Sequence, residues 1–260
     1  MPKIINLLKI SAFVTALSLS PASISAKVVA RQDIEIINAD NPNITFLIRD
    51  VIVSKSSSSN IEIVNGDWTE LATNNAAASI NSLAQVNDWQ YDIKSIGYTQ
   101  PNLFVDSAKW HLFDAVKATI NVTSMSKDRL PTGRDPENWR NFLNIWTVGE
   151  GFLNKTSQVP DNKQPDYIVI FSIQDSYGSR SKLVNHALTG GGVFGGSIST
   201  SLNYAALIEA RSGDIIWYNE DSNLDGDIRQ QEGMSDRLKD LMRDFPLFKE
   251  NMHKYKVATP

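Results

Sequence analysis

Acidic and amide side chains recur at alternate positions in the stretch from Asp221 to Glu232. At every fixed position the stretch fits the twelve-residue calcium loop, in which glycine takes the sixth position and glutamate the last. Ca²⁺ takes six to eight oxygen ligands, and the final glutamate can supply two of them. The predicted ligands are the side chains of Asp221, Asn223 and Asp225, the carbonyl of Asp227 and the bidentate carboxylate of Glu232.

A second interpretation of this stretch needs no metal. A strand, not a helix, is predicted before it, and Arg229 takes a position at which calcium loops often hold a water ligand. The alternative is an acidic surface loop that leads into the last helix, where Glu232 favours the helix amino terminus. Calcium is therefore the one candidate cofactor, and both interpretations stay open.

The remaining reactive patterns do not indicate a catalytic or cofactor-binding site. The glycines at 190, 192 and 195 have the G-x-G-x-x-G spacing, but the residues after them are predicted to be extended, whereas a dinucleotide site needs a helix there. We expect either a mobile hairpin tip or a strand bent by close backbone approach, and we expect the mobile segment over 188–200 to contact a partner. The histidines at 111, 186 and 253 lack the spacing of a zinc site, and no pair of carboxylates stands out for hydrolysis.

The amino terminus predicts export. Lys3 and Lys9 precede a short apolar run over 10–19, and Ile24 and Ala26 take the −3 and −1 positions of a cleavage region. The run is too short to span a membrane, and no later segment is long and apolar enough. The alternative is a retained amphipathic anchor. We therefore predict a signal peptide over 1–26.

The amino-acid composition limits which cellular compartments and which classes of partner are expected. The chain has no cysteine, which excludes disulfides and a lipidated cysteine and favours a bacterial periplasm over a eukaryotic secreted protein. Removal of the signal peptide shifts the formal charge from −4 to −6, and no run of Lys or Arg is present. Nucleic acid and anionic lipid surfaces are therefore poor partners. Envelope proteins or further copies of this chain are the expected ones.

Hydrophobic periodicity sets the expected elements. The predicted strands are 44–53, 91–96, 167–173, 197–209 and 214–218, and the predicted helices are 67–87, 106–120, 138–153 and a last helix from 234 to 245. The almost continuous apolar run over 167–173 predicts a central strand buried on both faces, and Ser212-Gly213 predicts a tight hairpin between the last two strands. Asp67 is the expected cap of the first helix, and its expected apolar face is formed by Ala72, Ala76, Ile80 and Leu83. The expected apolar face of the second helix is formed by Ala108, Leu112, Ala115, Val116 and Ala118, with Trp110 and Phe113 beside it. This order predicts an α/β (α+β) fold: a mixed, mostly antiparallel sheet with helices packed against it. It forms a single domain over 27–248, followed by a frayed tail over 249–260.

The last third resembles a group of bacterial envelope proteins. The apolar strand that begins at Tyr167, the hairpin with Gly213 and Trp217, and a last helix that ends at Phe245 and Pro246 are similar to the curli-secretion (CsgG-like) family, the TolB amino-terminal domain, LpoB and neisserial surface lipoproteins. The resemblance implies a TolB-like fold and a non-enzymatic role on the periplasmic side of the outer membrane. This chain lacks the cysteine that the lipoproteins lipidate.

Together these patterns predict a non-catalytic accessory or assembly protein, periplasmic or associated with the outer membrane, that supports secretion, transport or wall synthesis. The alternatives are a periplasmic calcium- or ligand-binding module and a carboxylate-based hydrolase.

Overall fold

In the part of the chain that the structure describes, seven strands form a central mixed sheet. The structure is a computed structural model that describes residues 27–30, 35–37, 40–56, 62–96, 104–125, 146–153, 164–178, 203–221 and 224–257. The strands are β1 (Lys27–Ala30), β2 (Glu35–Ile36), β3 (Asn43–Ser56), β4 (Glu62–Val64), β5 (Gln90–Ser95), β6 (Tyr167–Gly178), β7 (Asn203–Glu209), β8 (Ile215–Asp221) and β9 (Lys256–Val257). The helices are α1 (Gly66–Asn87), α2 (Ser107–Met125) and α3 (Gln231–Leu241).

The strand order confirms the predicted fold class. The strand order is β1-β8-β7-β6-β3-β4. β5 lies on the same side of β3 as β4: β5 pairs with residues 43–48 of β3, and β4 pairs with residues 54–56. β3 runs parallel to β5 and β6, while the pairings β1–β8, β3–β4, β6–β7 and β7–β8 are antiparallel. The sheet is thus mixed and mostly antiparallel, with helices packed against it.

The sheet is buried on both faces. α1 and α3 cover one face, where Phe46, Phe171 and Trp217 join the helix residues in one apolar cluster. α2 covers the other face, where Leu47 and Ile170 belong to a second cluster. A central strand with helices on both faces must be apolar at consecutive positions, and the near-continuous apolar run of β6 confirms this expectation.

α1 confirms the predicted apolar face but begins differently. Ala72, Ala76 and Ile80 are buried as expected. The cap is Asn65, whose Oδ1 accepts a hydrogen bond of 3.0 Å from the Trp68 backbone, so the expectation that Asp67 caps the helix is wrong. An asparagine immediately before the helix reaches this N–H as readily as an aspartate does, and the hydrogen bonds of β3 decide where the helix begins.

α2 turns a different face to the core than the sequence suggested. Its buried residues are Trp110, Phe113, Val116 and Ile120, while Leu112 is exposed. Of the expected face, Val116 is buried, whereas the alanines at 108, 115 and 118 are exposed, so that part of the prediction is wrong. Trp110 and Phe113, which we expected beside this face, lie at its centre instead. The large side chains at 110 and 113 bury far more apolar area than alanines do, and their spacing sets the helix rotation.

Residues 146–153 are irregular, so this part of the predicted helix 138–153 is wrong, and residues 138–145 lie outside the described residues. Gly149 and Gly151 have φ of 72° and 69°, which helices do not contain. The segment instead bridges from Thr147 to Asp214 and from Leu153 to Val105. It therefore docks against the β7–β8 turn and the start of α2.

The described residues after α3 reach Val257 and so cover part of the tail, 249–260, that we predicted to be frayed. Asn251 is buried, and its Nδ2 donates to the Phe245 carbonyl at 3.1 Å. A 3-10 helix over Met252–Lys254 leads into β9, which pairs in parallel with β2. No described helix is long and apolar enough to cross a membrane. The predicted signal peptide 1–26 and the glycine-rich stretch 188–200 lie outside the described residues.

Candidate functional site

The predicted calcium ligands are spread over the end of β8, a turn and the start of α3. Asp221 closes β8, where its backbone carbonyl accepts from the Asn203 side chain at 3.2 Å. Asn223 lies outside the described residues. Asp225 is exposed, and Glu232 lies exposed in the first turn of α3, as the metal-free interpretation expected. Across the described ranges, no three Asp, Glu or His residues come together as a metal-binding group.

Asp227 is held by Arg229. Its carboxylate accepts hydrogen bonds from Arg229 Nε at 2.9 Å and from Arg229 Nη2 at 2.7 Å. Its backbone carbonyl accepts from the Gln230 N–H at 2.9 Å. The hydrogen bonds from Arg229 hold the pKa of Asp227 well below its usual range. A calcium loop would direct this carbonyl at the metal, whereas here it closes a turn. The calcium site therefore stays a prediction, and the described part of the loop has internal partners.

Arg229 joins the loop to the body of the domain. Its guanidinium lies 3.7 Å from the centroid of the Tyr177 ring and 4.6 Å from that of Trp68, and these two rings pack edge to face. The Ile228 N–H donates to the Tyr177 hydroxyl at 3.0 Å. Burial is the largest cause of the raised pKa of Tyr177. We call these residues, Trp68, Tyr177, Asp227, Ile228 and Arg229, the arginine clasp.

A second polar group backs the same loop. Arg237 on α3 forms an ion pair of 2.5 Å with Asp175 of β6, and its Nε donates to the Gly226 carbonyl at 2.7 Å. Both side chains are largely buried. The φ of Gly226 is 99°, and a Cβ there would come within 2.7 Å of the Gly233 carbonyl oxygen, so the turn requires glycine. The loop is thus anchored to α1, β6 and α3.

The other face of the sheet carries a charged cluster around Arg49. The register of β3 against β6 shifts between Ile48 and Asp50, so Arg49 is the extra residue of a bulge. Bulges redirect a side chain, and here Arg49 turns towards α2. Its two terminal nitrogens donate to the two oxygens of Asp114 at 2.6 and 2.8 Å, and its guanidinium carbon lies 4.5 Å from the centroid of the Trp110 ring.

The neighbours of this ion pair are also ionisable. Asp50 lies 3.3 Å from Arg49 Nε, Lys117 lies 3.6 Å from Asp114, and the Tyr204 hydroxyl accepts from Arg49 at 3.4 Å. Lys117 Nζ also lies 4.2 Å from the centroid of the Tyr204 ring. We call these residues, with Trp110, the Arg49 cluster.

The two carboxylates of the Arg49 cluster are perturbed in opposite directions. Burial is the largest influence on both, and it raises the pKa of Asp50 despite the opposing charge of Arg49. At Asp114 the hydrogen bond and charge of Arg49 overcome burial, so its pKa is lowered. Opposite shifts can mark an acid and a base. Here both Asp114 oxygens are bound by Arg49, so the cluster joins α2 to the bulge.

Sequence reasoning missed both clusters. Arg49 lies within a predicted strand, and its partners are on α2 and β7, far away in the chain. The one local signal was a charged Arg-Asp pair inside an apolar strand, which predicts either a bulge or a paired buried charge. His111 and His253, the histidines that the structure describes, are exposed and belong to neither cluster.

Comparisons with protein-family models, with curated proteins and with solved structures found no match for this chain.

Proposed function

We propose that this chain is a non-catalytic accessory or assembly protein of the bacterial cell envelope, located in the periplasm or at the inner side of the outer membrane. The observation that carries the proposal is the order of the elements in the segment that resembles envelope proteins. The apolar strand, the glycine hairpin and the last helix of that resemblance correspond to β6, β7–β8 and α3, in this order. The helix end differs: α3 ends at Leu241, before the Phe245–Pro246 pair at which the predicted helix ended. Gly213 has φ of 76° in the hairpin, and Trp217 is fully buried.

The first strand supports the export part of the proposal. The first described strand, β1 (Lys27–Ala30), lies after the expected cleavage position and pairs with β8 from Lys27 against Glu220 to Ala30 against Trp217. A signal peptide that ends at Ala26 would therefore leave every described strand of the sheet in the mature chain.

The polar clusters support a binding role over catalysis. In both clusters the charged groups have partners within the domain: Arg49 with Asp114, Arg229 with Asp227, and nearby Arg237 with Asp175. A catalytic carboxylate or nucleophile needs free access to a substrate and a positioned proton acceptor. Two of these ion pairs, Arg49–Asp114 and Arg237–Asp175, instead join a helix to the sheet, and Arg229–Asp227 lies within the loop before α3.

The export test replaces the residue at the cleavage position. In a bacterium that expresses the full chain, the periplasmic fraction should contain a protein whose amino-terminal residue is Lys27. Ala26→Tyr should leave the precursor uncut, because a bulky residue does not fit at this position, while the control Ala26→Ser should be cut normally. A wild-type chain that stays in the cytoplasm with its first residues intact would exclude the proposal.

The accessory role is tested by crosslinking in intact cells. We expect crosslinks to outer-membrane or transport-machinery proteins, identified by mass spectrometry. If the chain is recovered as a free monomer in osmotic-shock fluid, with no crosslinked partner, the accessory role is wrong even where the export test succeeds.

A carboxylate-based hydrolase is a second candidate, because Asp50 and Asp114 lie beside the same guanidinium, 3.3 and 2.6 Å from Arg49 nitrogens, and their pKa values shift in opposite directions. It predicts that the chain hydrolyses members of a panel of chromogenic glycosides and esters, and that Asp50→Asn abolishes the turnover. Equal rates for the wild type and Asp50→Asn would exclude Asp50 as an acid or base.

A further inference from the structure

β4 is a short strand at the end of the described strand order, and its apolar side chains are exposed. Ile63 is 61% and Val64 41% accessible to solvent, and Leu71, in the second turn of the following helix α1, is 44% accessible. Neighbouring residues of a strand point to opposite faces, so Ile63 and Val64 present apolar surface on both faces of this edge. We call Glu62, Ile63, Val64 and the first two turns of α1 the β4 edge.

The hydrogen-bond alternation shows which backbone groups point outward. β4 pairs antiparallel with β3, with Val64 opposite Ser54, and the Asn65 N–H bonds to the Val53 carbonyl at 2.8 Å. In an antiparallel pair, hydrogen-bonded and non-hydrogen-bonded positions alternate. Asn65 is therefore at a bonded position and Val64 at a non-bonded one. The N–H and C=O of Val64, and by the same alternation those of Glu62, are directed away from β3.

The charge around the β4 edge is negative. Glu62, Asp67 and Glu70 are exposed, and none of the three has an ion pair among the described residues. Lys55 is the exposed cation opposite Ile63. Edges that avoid association commonly carry lysine or proline, whereas this one combines outward backbone groups, apolar side chains and an excess of carboxylates.

We propose that the β4 edge binds an extended segment of a partner protein in which apolar residues alternate with Lys or Arg. The segment adds a strand to the sheet: its backbone bonds to the outward groups of Glu62 and Val64, its apolar residues cover Ile63 or Val64, and its cations lie near Glu62 and Asp67. The site does not depend on the compartment of the chain.

A second copy of this chain fits the edge less well. Two β4 edges paired about a twofold axis would bring Glu62, Asp67 and Glu70 of one copy towards the same acidic groups of the other. Like charges on adjacent strands are destabilising. A basic segment instead gains from the same carboxylates, and electrostatic attraction also speeds its encounter with the edge.

The test uses a short peptide of alternating valine and lysine and the full chain, with binding followed by NMR shifts or calorimetry. The peptide should bind, and its affinity should fall as salt is raised. Val64→Pro removes the outward N–H while leaving the β3–β4 bonds intact, because proline is tolerated at outward positions of an edge strand. It should weaken binding about fivefold, the effect of one lost hydrogen bond. The matched control Val64→Thr keeps this donor.

Charge is tested separately, with variants that leave the edge backbone intact. The double variant Glu62→Lys, Asp67→Lys should bind the valine–lysine peptide more weakly than the wild type does. It should also bind a valine–glutamate peptide, which the wild type does not bind. These variants also decide the question if Val64→Pro unfolds the chain. The proposal is overturned if the wild type binds neither peptide, if it binds both equally, or if Val64→Pro and Val64→Thr bind alike. A dimer in sedimentation that Val64→Pro abolishes would overturn the assigned partner in favour of a second copy.

Discussion

Removal of the Asp114 carboxylate charge tests how α2 is held to the sheet. Asp114→Asn leaves the side-chain shape but loses the charged, two-point contact with Arg49, whose atoms lie 2.6 and 2.8 Å apart. The side chain of Arg49 is 21% exposed and that of Asp114 36%, so the pair lies between surface pairs, worth about 0.2–1 kcal/mol, and buried pairs, whose disruption costs about 3–5 kcal/mol. We expect Asp114→Asn to lower the free energy of unfolding by about 2 kcal/mol. This value already allows for solvent screening of the partly exposed pair.

Thermal and denaturant unfolding measure this loss. A change of about 2 kcal/mol corresponds to roughly 4–8 °C in Tm for a domain of this size. In a double-mutant cycle with Arg49→Met, the two substitutions should be coupled by about 1.5 kcal/mol, because each single variant already removes the same contact. The control is Asp50→Asn. Burial disfavours the charged form of the Asp50 carboxylate and raises its pKa. Asp50→Asn should therefore leave the free energy of unfolding nearly unchanged or increase it.

The same contact predicts a pH dependence. The folded pKa of Asp114 lies below its ordinary value of 3.8, so its stabilising contribution is fully present above pH 3.8 and is lost as the pH falls through the lower folded value. The wild type should lose this advantage over Asp114→Asn in acid, and the two unfolding free energies should converge. The reasoning is refuted if Asp114→Asn costs less than about 0.5 kcal/mol at neutral pH, or if the two substitutions in the cycle are additive.

Three further perturbations test the loop, the hairpin and the end of α3. If the acidic loop binds Ca²⁺, a hundredfold excess over Kd should stabilise the wild type by about 2.7 kcal/mol, and Glu232→Gln should abolish that gain; a wild-type melt that does not move between chelator and millimolar calcium excludes the site. Gly213→Ala should lower the free energy of unfolding by more than about 2 kcal/mol, because φ is 76° and a Cβ would lie 2.1 Å from the Gly149 carbonyl oxygen. The matched control is Gly66→Ala, which should leave stability unchanged or raise it, because no atom lies within 4 Å of a Cβ there. Asn219→Ala should cost about 1–3 kcal/mol by chemical denaturation, because its fully buried Nδ2 donates at 2.8 Å to a carbonyl at the end of α3; an unchanged midpoint would contradict this role.

Local patterns in the sequence sufficed for the main elements. The continuous apolar run of β6 predicted a strand buried on both faces, and the alanine spacing of α1 predicted its buried side. The Ser212–Gly213 turn predicted the β7–β8 hairpin, because only a turn residue that tolerates positive φ joins two adjacent apolar strands there. These features depend on residues that are close in the chain, and the fold class follows from their order.

Tertiary contacts decided the rest. The bulge brings Arg49 to Asp114 on α2, and Arg229 of the acidic loop packs against the rings of Tyr177 and Trp68. Residues 146–153 leave the helical conformation to meet the β7–β8 turn, where the Gly149 carbonyl lies against Gly213. Each of these choices is made by partners that are distant in sequence. A hydrophobic pattern with a period of two or 3.6 residues indicates which local conformation, strand or helix, buries apolar area. It does not indicate which distant charge, ring or carbonyl will pair with a given polar group once the chain has folded.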